Sequence, residues 1–382
     1  MKKRLSIITI ILCVVISGTA CSSQDKNAPH YPNITVENQS MLDFLRPTAY
    51  NNTKGLELEP GAYISIIGRY SGDSYWEQVE AGAEQAIDEL NESLGYKGDD
   101  EITISFCAPD RVDDVNEQVN ILDEELARYP VAVAISPIDP TACHVQFEMA
   151  ADNNISIITF DSGTNFADII SHIATDNKKA SADVADNLAS LMKNQGEVAI
   201  FAQDSRSTTA IDRIDGFTET IKSKYENITI VNTYHLNDYE AYAKKIADER
   251  NALLAEGENQ VDPSSISHKE VIQYIIESNP NLKAIYTTNL DTTQLLASVL
   301  KSMEKDDLIF VGFDGGDSQT KLLSNGMVDG LIVQNPYAMG YAAVVAIVRN
   351  SMELGNEAHV DCGYTWVTKD NMKDSNIKNF LY

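Results

Sequence analysis

The chain has 382 residues and an acidic composition, with 57 Asp and Glu against 29 Lys and Arg and a formal net charge of −28. A surface of this charge repels the phosphates of nucleic acids and of anionic lipids, so the composition excludes a nucleic-acid-binding role. The length that follows the N-terminal segment is sufficient for two domains of ordinary size.

The first residues have the pattern of an export signal. Lys2, Lys3 and Arg4 precede an apolar run at 7–16, and small residues follow at 17–20. The apolar run is much shorter than the ~20 residues that cross a bilayer. The pattern therefore predicts a signal peptide over residues 1–20.

Cys21 directly follows this segment, and polar residues follow Cys21. The arrangement resembles a bacterial lipobox, in which the cysteine is acylated, although Gly18 stands where leucine is common. An ordinary secreted protein with an incidental cysteine is the alternative. Residues 21–60 are rich in Asn, Pro, Ser and charged residues and have no sustained periodicity. We interpret them as a lipid-anchored flexible tether.

Apolar, β-rich runs alternate with helical patterns through the rest of the chain. The run at 62–68 precedes a helix whose apolar residues are three and four apart, and Ser74 with Glu77 predicts a capping box at its start. Further strands are predicted at 102–106, 131–135, 155–160, 197–201, 228–231, 284–288, 308–312 and 330–333. Alternating βα units build parallel sheets with helices on both faces, and so many strands fit two sheets. The predicted fold class is α/β, with two doubly wound parallel-sheet lobes.

Polar and aromatic residues follow many of these strands, and in doubly wound sheets ligands bind beyond the carboxyl ends of the strands. The residues at these positions are Asp73, Tyr75, Trp76, Ser136, Asp139, Asp161, Asn289, Asp291, Asp314 and Gln334. Carboxylates accept hydrogen bonds from neighbouring hydroxyls, and aromatic rings cover the apolar face of a sugar. A single Asp at such a position is better explained as a helix cap. Its recurrence at several strand ends favours a pocket for a polyhydroxylated ligand.

No motif in the sequence indicates phosphate binding, metal binding or nucleophilic catalysis. The segment 68–72 lacks the glycine spacing of a phosphate-binding loop, and there is no G-x-S-x-G motif. The six histidines are scattered without paired-ligand spacing. We therefore predict no cofactor, no metal site and no enzymatic activity.

Three motifs give the chain a resemblance to a known family. Residues 172–177 (HIATDN), 213–217 (RIDGF) and 311–315 (VGFDG) occur in the order and spacing of the type I periplasmic sugar-binding proteins. This group contains the ribose and galactose/glucose receptors of ABC transporters, and the resemblance covers residues 60–370. The ligand-binding core of lactose-repressor-type regulators is similar, but here an export signal stands in place of their DNA-binding domain.

The resemblance implies a domain division and a ligand site. Crossings near Asp176, Gln334 and Thr365 would give an N-terminal lobe of residues 61–175 and 335–365 and a C-terminal lobe of residues 176–334 and 366–382. The two lobes would close around the ligand by a hinge motion. The residues matched to the family's ligand site are Asp73, Tyr75, Trp76, Asp161, Ser162, Arg213, Tyr239, Asn289, Asp314 and Gln334.

Two positions bear on the choice of sugar. Ser162 stands where ribose receptors carry an arginine, and Asp73 stands where galactose/glucose receptors carry an aspartate and ribose receptors an asparagine. The resemblance therefore implies an aldopyranose in preference to ribose. A role for Asp73 as a helix-start residue, favoured by the helix dipole, explains the same position nearly as well.

The expected protein is a monomeric solute-binding lipoprotein on the outer side of the cell membrane, which delivers a monosaccharide to an ABC permease. A receptor that docks on a sensor kinase or chemoreceptor is the alternative, and a secreted enzyme on this fold is a weaker third. Two features are left open. Cys107 and Cys362 could form a disulfide or remain free thiols, and residues 250–270 resemble an insertion of unknown purpose.

Overall fold

A computed structural model describes residues 36–382 of the chain. The strands of this part are β1 (Tyr63–Ile67), β2 (Thr103–Cys107), β3 (Ala132–Ile135), β4 (Ser156–Phe160), β5 (His172–Ala174), β6 (Gly196–Ala202), β7 (Ile228–His235), β8 (Leu282–Thr287), β9 (Ile309–Phe313), β10 (Gly330–Gln334), β11 (His359–Asp361) and β12 (Tyr364–Val367). Its helices are α1 (Val36–Leu42), α2 (Ser74–Leu94), α3 (Val115–Leu126), α4 (His144–Asp152), α5 (Asn177–Leu191), α6 (Thr208–Lys224), α7 (Tyr239–Ala252), α8 (His268–Glu277), α9 (Leu290–Ser302), α10 (Asp317–Asn325) and α11 (Pro336–Ser351). None of these helices combines the length and the apolar character that a membrane span requires.

The strands of the described part form two six-stranded sheets. The first sheet has the order β11-β5-β4-β3-β1-β2, and its neighbouring strands are parallel. The second has the order β12-β10-β9-β8-β6-β7 and is parallel except at its edge, where β12 pairs antiparallel with β10. Each sheet, with the helices that cover it, is one lobe: the first lobe and the second lobe.

Every predicted strand corresponds to a strand of these sheets, and most ends agree within two residues. The largest difference is at β7, which continues to His235. The strands β5, β11 and β12 have no counterpart among the predicted ones. Each has only three or four residues, which is too short for a hydrophobic period to be recognised.

Apolar side chains of the first sheet alternate between two helical layers. Ile64 and Ile66 belong to the core that contains α2 and α11, whereas Ile67 belongs to the core with α3 and α4. Successive side chains of a strand point to opposite faces, so a continuously apolar strand needs a helical layer on each side. The second sheet is covered by α5 and α6 on one face and by α7 to α10 on the other. Both lobes are therefore doubly wound, and the predicted α/β fold class is confirmed.

Two glycines allow the helices α2 and α11 to touch at the backbone. A Cβ atom on Gly82 would lie 1.9 Å from the carbonyl oxygen of Tyr337, and one on Gly340 would lie 1.8 Å from the carbonyl oxygen of Val79. No side chain fits at these distances. The two glycines therefore set how closely α11, the last helix of the first lobe, packs on α2.

The chain passes between the two sheets at residues 175–176, at residue 335 and at residues 362–363. The first two passages lie where crossings are expected from the sequence. The third lies before the predicted position at Thr365, because β12 already pairs with β10 from Tyr364 onward. These passages are joined by hydrogen bonds: Thr175 donates to the side-chain oxygen of Gln334 at 3.0 Å, and the amide group of Asn335 donates to the carbonyl oxygen of Cys362 at 3.2 Å.

Residues 36–60 do not form part of a tether, and here the sequence interpretation is wrong. Leu42, Leu45 and Tyr50 are at most 1% exposed and belong to the core of the first lobe. The backbone of Arg46 exchanges two hydrogen bonds with Asp361, at 2.8 and 2.9 Å. The segment packs through isolated apolar residues without a regular period, so its sequence resembles that of a loop. Cys21, the signal peptide and the rest of the predicted tether lie outside the described residues.

Cys107, Cys143 and Cys362 are free thiols. Cys107 ends β2 and Cys362 follows β11, which are the two opposite edges of the first sheet. Five strand spacings of about 4.8 Å separate these edges, or about 24 Å in all. A disulfide needs Cα atoms within about 7 Å, so the fold excludes a bridge between Cys107 and Cys362.

Candidate functional site

A cavity of about 650 Å³ lies between the two lobes, at the carboxyl ends of the strands of both sheets. Eight of the ten residues predicted for the ligand site line it: Asp73, Tyr75, Trp76, Asp161, Arg213, Asn289, Asp314 and Gln334. A larger cavity of about 840 Å³ lies on the second lobe between α9 and α10, and no predicted residue lines it. The cavity between the lobes, called the cleft below, is therefore the candidate site.

Asp161 and Asp314 occupy matching positions in the two lobes, each directly after a central strand. Both have left-handed backbone conformations, with φ of 54° and 78°. Such a conformation is uncommon for a residue with a side chain, although Asp adopts it more readily than most. Here it turns the chain out of the strand, and each carboxyl group lies at the floor of the cleft, 7% exposed.

Both carboxylates are held by fixed donors. Asp161 accepts hydrogen bonds from the hydroxyl groups of Tyr75 at 2.9 Å and Ser136 at 3.1 Å. Asp314 accepts from the amide of Gln334 at 2.7 Å and from the backbone N–H of Leu290 at 2.9 Å. Burial raises the pKa of Asp314, and the nearby Arg213 guanidinium opposes this rise. The cleft thus offers preorganised hydrogen-bond acceptors from both lobes.

Arg213 extends from α6 to the floor of the cleft and is only 3% exposed. Its Nε donates to the side chain of Asn177 at 2.8 Å, and one terminal nitrogen donates to the carbonyl oxygen of Thr288 at 2.6 Å. The guanidinium carbon lies 3.8 Å from the ring centroid of Phe313. A guanidinium has five N–H donors, so a side chain held by these contacts still has donors for a ligand.

Tyr75 and Trp76 form an aromatic wall on the first lobe. Their ring centroids are 5.0 Å apart with planes at 75°, and Phe160 packs behind Trp76 at 6.2 Å. Both residues are 7% exposed and line the cleft. Because the hydroxyl group of Tyr75 is bonded to Asp161, its ring orientation is fixed relative to the carboxylate.

Asp73 is the N-cap of α2, so the predicted capping box of Ser74 and Glu77 is wrong by one residue. Its carboxylate accepts hydrogen bonds from the backbone N–H groups of Tyr75 at 2.9 Å and Trp76 at 3.3 Å. Asp73 also lines the cleft. Burial, together with the carboxylates of Asp314 and Asp291, raises the pKa of Asp73 to about 6. The helix-start role is therefore real, and it coexists with a position at the ligand cavity.

Ser162 is buried next to Asp161 but does not line the cleft. Its hydroxyl group accepts a hydrogen bond from Arg69 at 2.9 Å, and the same guanidinium pairs with Asp113 at 3.2 Å. Arg69 does line the cleft. The space beside Ser162 thus holds a guanidinium that another strand end supplies, which removes the argument that a donor is missing there.

Tyr239 lies behind the wall of the cleft and is not part of its lining. Its hydroxyl group donates to the carbonyl oxygen of Ile266, and its ring centroid is 4.4 Å from that of His268. His268, the first residue of α8, lines the cleft in its place. The segment 250–270 therefore ends at the cavity wall.

The cleft is also lined by residues that are absent from the predicted site, among them Arg69, Gln203, His268 and Tyr382. Gln203 directly follows β6 and Arg69 is the second residue after β1, so the strand-end rule that led to Asp161 and Asp314 applies to them also. No local pattern marks His268 or Tyr382, because their positions depend on how distant segments pack.

The cleft combines carboxylates, guanidinium groups and aromatic rings in one partly enclosed volume. Its size is within the range of about 300–1,000 Å³ that is typical of small-molecule sites. Asn289 adds an amide that caps α9 and accepts from the backbone N–H of Thr292 at 3.1 Å. Among residues 36–382, no group of three or more His, Cys, Asp or Glu side chains is arranged to hold a metal ion. The arrangement is suited to bind a polar, uncharged ring through many hydrogen bonds.

Comparison with known proteins agrees with this geometry. The ribose import binding protein RbsB of Escherichia coli K12 is 21% identical over 281 residues, which are 74% of this chain and 82% of that protein. The D-apiose import binding protein of Actinobacillus succinogenes is 24% identical over 285 residues, 74% of this chain and 79% of that one. A carbohydrate transporter solute binding protein from Agrobacterium radiobacter, solved with D-arabinose, superposes with a TM-score of 0.67 at 27% identity, over 84% of this chain and 99% of that one.

A family profile described as the periplasmic binding protein domain matches residues 64–352. The match covers both lobes and all three sequence motifs. It confirms the resemblance to the type I periplasmic sugar-binding proteins and agrees with the expectation of a binding protein without enzymatic activity. The chain belongs to the periplasmic binding protein family.

Proposed function

We propose that this protein is an extracytoplasmic lipoprotein that binds a monosaccharide, an aldopyranose, in the cleft and delivers it to an ABC importer. The observation that carries the proposal is the convergence of Arg213, Asp161 and Asp314 with an aromatic wall between two lobes. The relatives with import functions for ribose and D-apiose, and the structural neighbour with bound D-arabinose, support the same ligand class.

The donors and acceptors of the cleft complement a sugar. A sugar hydroxyl both donates and accepts, so it matches a carboxylate on one side and a guanidinium on the other. Asp161 and Asp314 provide the acceptors from opposite lobes, and Arg213 with Arg69 provides the donors. The rings of Tyr75 and Trp76 would cover the apolar C–H face of the ligand.

Binding between two lobes that are joined by three short passages supports closure by a hinge motion. Asp314 and Gln334 are bonded to each other at 2.7 Å, and Gln334 is bonded to Thr175 at the first passage. A ligand that contacts Asp314 therefore acts on the same network that joins the lobes. We expect the closed form to be the one that the importer recognises.

The ligand is tested by thermal shift and calorimetry against D-galactose, D-glucose, D-xylose, D-ribose and D-arabinose. We expect an aldopyranose to bind best. Hydrogen bonds to charged groups contribute about 1.5–3 kcal/mol each, so Arg213→Ala and Asp314→Ala should each weaken binding by about tenfold or more.

Arg250 and Asp186 provide matched controls, because each forms an ion pair on the second lobe and neither lines the cleft. Arg250→Ala and Asp186→Ala should bind the sugar as tightly as the parent. If Arg213→Ala and Asp314→Ala bind the sugar as tightly as the parent does, the assignment of these residues to the ligand site is wrong. Absence of binding to every sugar of the panel would remove the proposed function.

The anchor is tested separately through Cys21. Two or more acyl chains hold a protein durably on a membrane, whereas one chain does so only marginally. Cys21→Ser should therefore release the protein into the medium or leave its signal peptide uncleaved. Retention of a processed Cys21→Ser protein at the membrane would contradict the proposed lipidation.

Delivery is tested by uptake of the labelled sugar in cells that lack the gene for this protein. Restoration of uptake by the parent, and not by Arg213→Ala, is the expected result. A receptor that only signals would bind the sugar with no effect on its uptake.

A further inference from the structure

Tyr382 reaches the cleft from a segment that packs on the second lobe. The segment follows β12, and Phe380 lies in the core of that lobe, 3% exposed. Gly315, directly after Asp314, allows the close approach: a Cβ there would lie 2.6 Å from a methyl group of Val333 and 3.3 Å from one of Leu381. The backbone N–H of Tyr382 donates to the carbonyl oxygen of Gly315 at 3.2 Å.

The ring of Tyr382 contacts both lobes. It packs against the apolar core of each, and its centroid lies 5.8 Å from that of Tyr75 with the planes at 72°. Tyr75 is in turn bonded to Asp161. The ring therefore lies between the carboxylate-bearing strand ends of the two lobes and lines the cleft.

The hydroxyl group of Tyr382 retains a hydrogen-bond donor. Its oxygen accepts from the backbone N–H of Gly315 at 3.3 Å, and no residue of the described part accepts from its O–H. Burial, with the carboxylates of Asp314 and Asp73 nearby, raises the pKa of Tyr382 well above its ordinary value. The phenol thus stays protonated and is a donor beside two groups that, when ionised, can only accept.

We propose that Tyr382 is a specificity-determining residue that donates a hydrogen bond to the hydroxyl oxygen of the sugar whose proton Asp314 or Asp73 accepts. This inference rests on the proposed function. It adds to the proposed site a residue from the segment that follows β12. A hydroxyl that donates to a carboxylate still has lone pairs that need a donor, and the phenol supplies it. A sugar that lacks this hydroxyl would leave the phenol O–H without an acceptor and would deprive the carboxylate of one donor in a largely buried site.

The test is calorimetry on the full protein with the best-bound sugar of the panel and with each of its monodeoxy analogues. Tyr382→Phe removes only the hydroxyl and should lower affinity for the parent sugar by about three- to tenfold. Tyr225→Phe is the matched control, because the hydroxyl of Tyr225 donates to Asp186 at 2.8 Å away from the cleft. This control should leave the affinity unchanged.

The decisive result is whether the loss of affinity caused by Tyr382→Phe depends on one particular hydroxyl of the sugar. For one monodeoxy analogue, Tyr382→Phe and the parent should bind equally, while the other analogues show the same loss as the full sugar. A loss of equal size with every analogue would show that Tyr382 acts through the packing of the lobes, and would overturn the inference. So would full affinity of Tyr382→Phe for a sugar that the parent binds. If the parent binds no sugar, the proposed function fails, and this inference fails with it.

Discussion

Asp161 and Asp314 show how much a single residue contributes to this cleft. Each combines a left-handed backbone with a buried carboxylate that already accepts two hydrogen bonds. The backbone conformation costs energy for a residue with a side chain, and the fixed donors compensate for it. The carboxylates are therefore oriented in the ligand-free protein, which would lower the entropy cost of binding in the proposed site.

Asp73 should make ligand affinity depend on pH. Burial and the neighbouring carboxylates raise its pKa to about 6 in the ligand-free protein. A sugar hydroxyl that donates to Asp73 stabilises the ionised form, so affinity should rise between about pH 5 and about pH 7. Asp73→Asn, measured by calorimetry at both pH values, should flatten this rise while it keeps the helix cap.

Asp262 is a suitable control, because it caps a short turn through Ser264 at 2.9 Å and does not line the cleft. Asp262→Asn should keep the pH profile of the parent.

The stability of the ligand-free protein should depend on pH with the opposite sign. A raised pKa of Asp73 favours the protonated folded form, so the contribution of Asp73 to the free energy of unfolding is lost as the pH rises from about 4 to about 6. An Asp73→Asn protein with an unaltered pH profile of affinity would leave Asp73 with its capping role alone.

Residues that line the cleft could be predicted from sequence where a polar side chain stands at the carboxyl end of an apolar strand. Asp161, Asp314 and Gln334 have such positions, because a strand end fixes where the residue beside it lies. Tyr239 and His268 show the limit of this logic. Both belong to helices whose packing decides which of them reaches the cavity, and the sequence carries no local signal for that choice.

At the scale of elements, the contact between α2 and α11 depends on the two glycines. Gly340→Ala would place a methyl group 1.8 Å from the carbonyl oxygen of Val79, so the helices must separate. We expect the free energy of unfolding to fall by about 1–3 kcal/mol, as in other overpacked cores. Chemical denaturation measures this change, and Ser351→Ala at the exposed end of α11 is the control. In a helix without this contact, the same substitution would stabilise by up to about 1 kcal/mol, so a gain in stability would contradict the packing.

The segment before β1 should contribute to stability although its sequence resembles a tether. Leu45 is fully buried against the first lobe, whereas Leu253 on the second lobe is 87% exposed. Leu45→Ala should lower the free energy of unfolding by about 2–5 kcal/mol, and Leu253→Ala should change it by less than about 0.5 kcal/mol. Equal stability of the two variants in urea would mean that the segment does not belong to the folded domain.

The regular elements were predictable because each long strand or helix repeats one hydrophobic period. The residues 36–60 were not, since their buried side chains are separated by irregular intervals. The same holds for β11 and β12, which are recognisable only once the rest of each sheet is in place. Local patterns thus predict the layers of this fold, and tertiary packing decides where the connecting chain lies.

At the scale of the whole molecule, a saturating sugar should make the protein more compact and more stable. Hinge closure reduces the radius of gyration, which small-angle X-ray scattering measures directly. A ligand at about 100 times its dissociation constant adds about 2.7 kcal/mol to the free energy of unfolding. Arg213→Ala at the same sugar concentration should show a smaller change in both quantities. A radius of gyration that stays constant while the melting temperature rises would mean that the ligand binds without closure.

The position of α1 determines which part of the molecule carries the preceding chain. The amide of Asn335 donates to the carbonyl oxygen of Met41 at 2.9 Å, Arg46 pairs with Asp361, and the ring of Phe44 lies 4.8 Å from that of Phe380. The described chain therefore begins beside the passages that join the two lobes. In the proposed hinge closure, points near the axis of rotation would move least, so the start of the described chain would be displaced little between the open and the closed form.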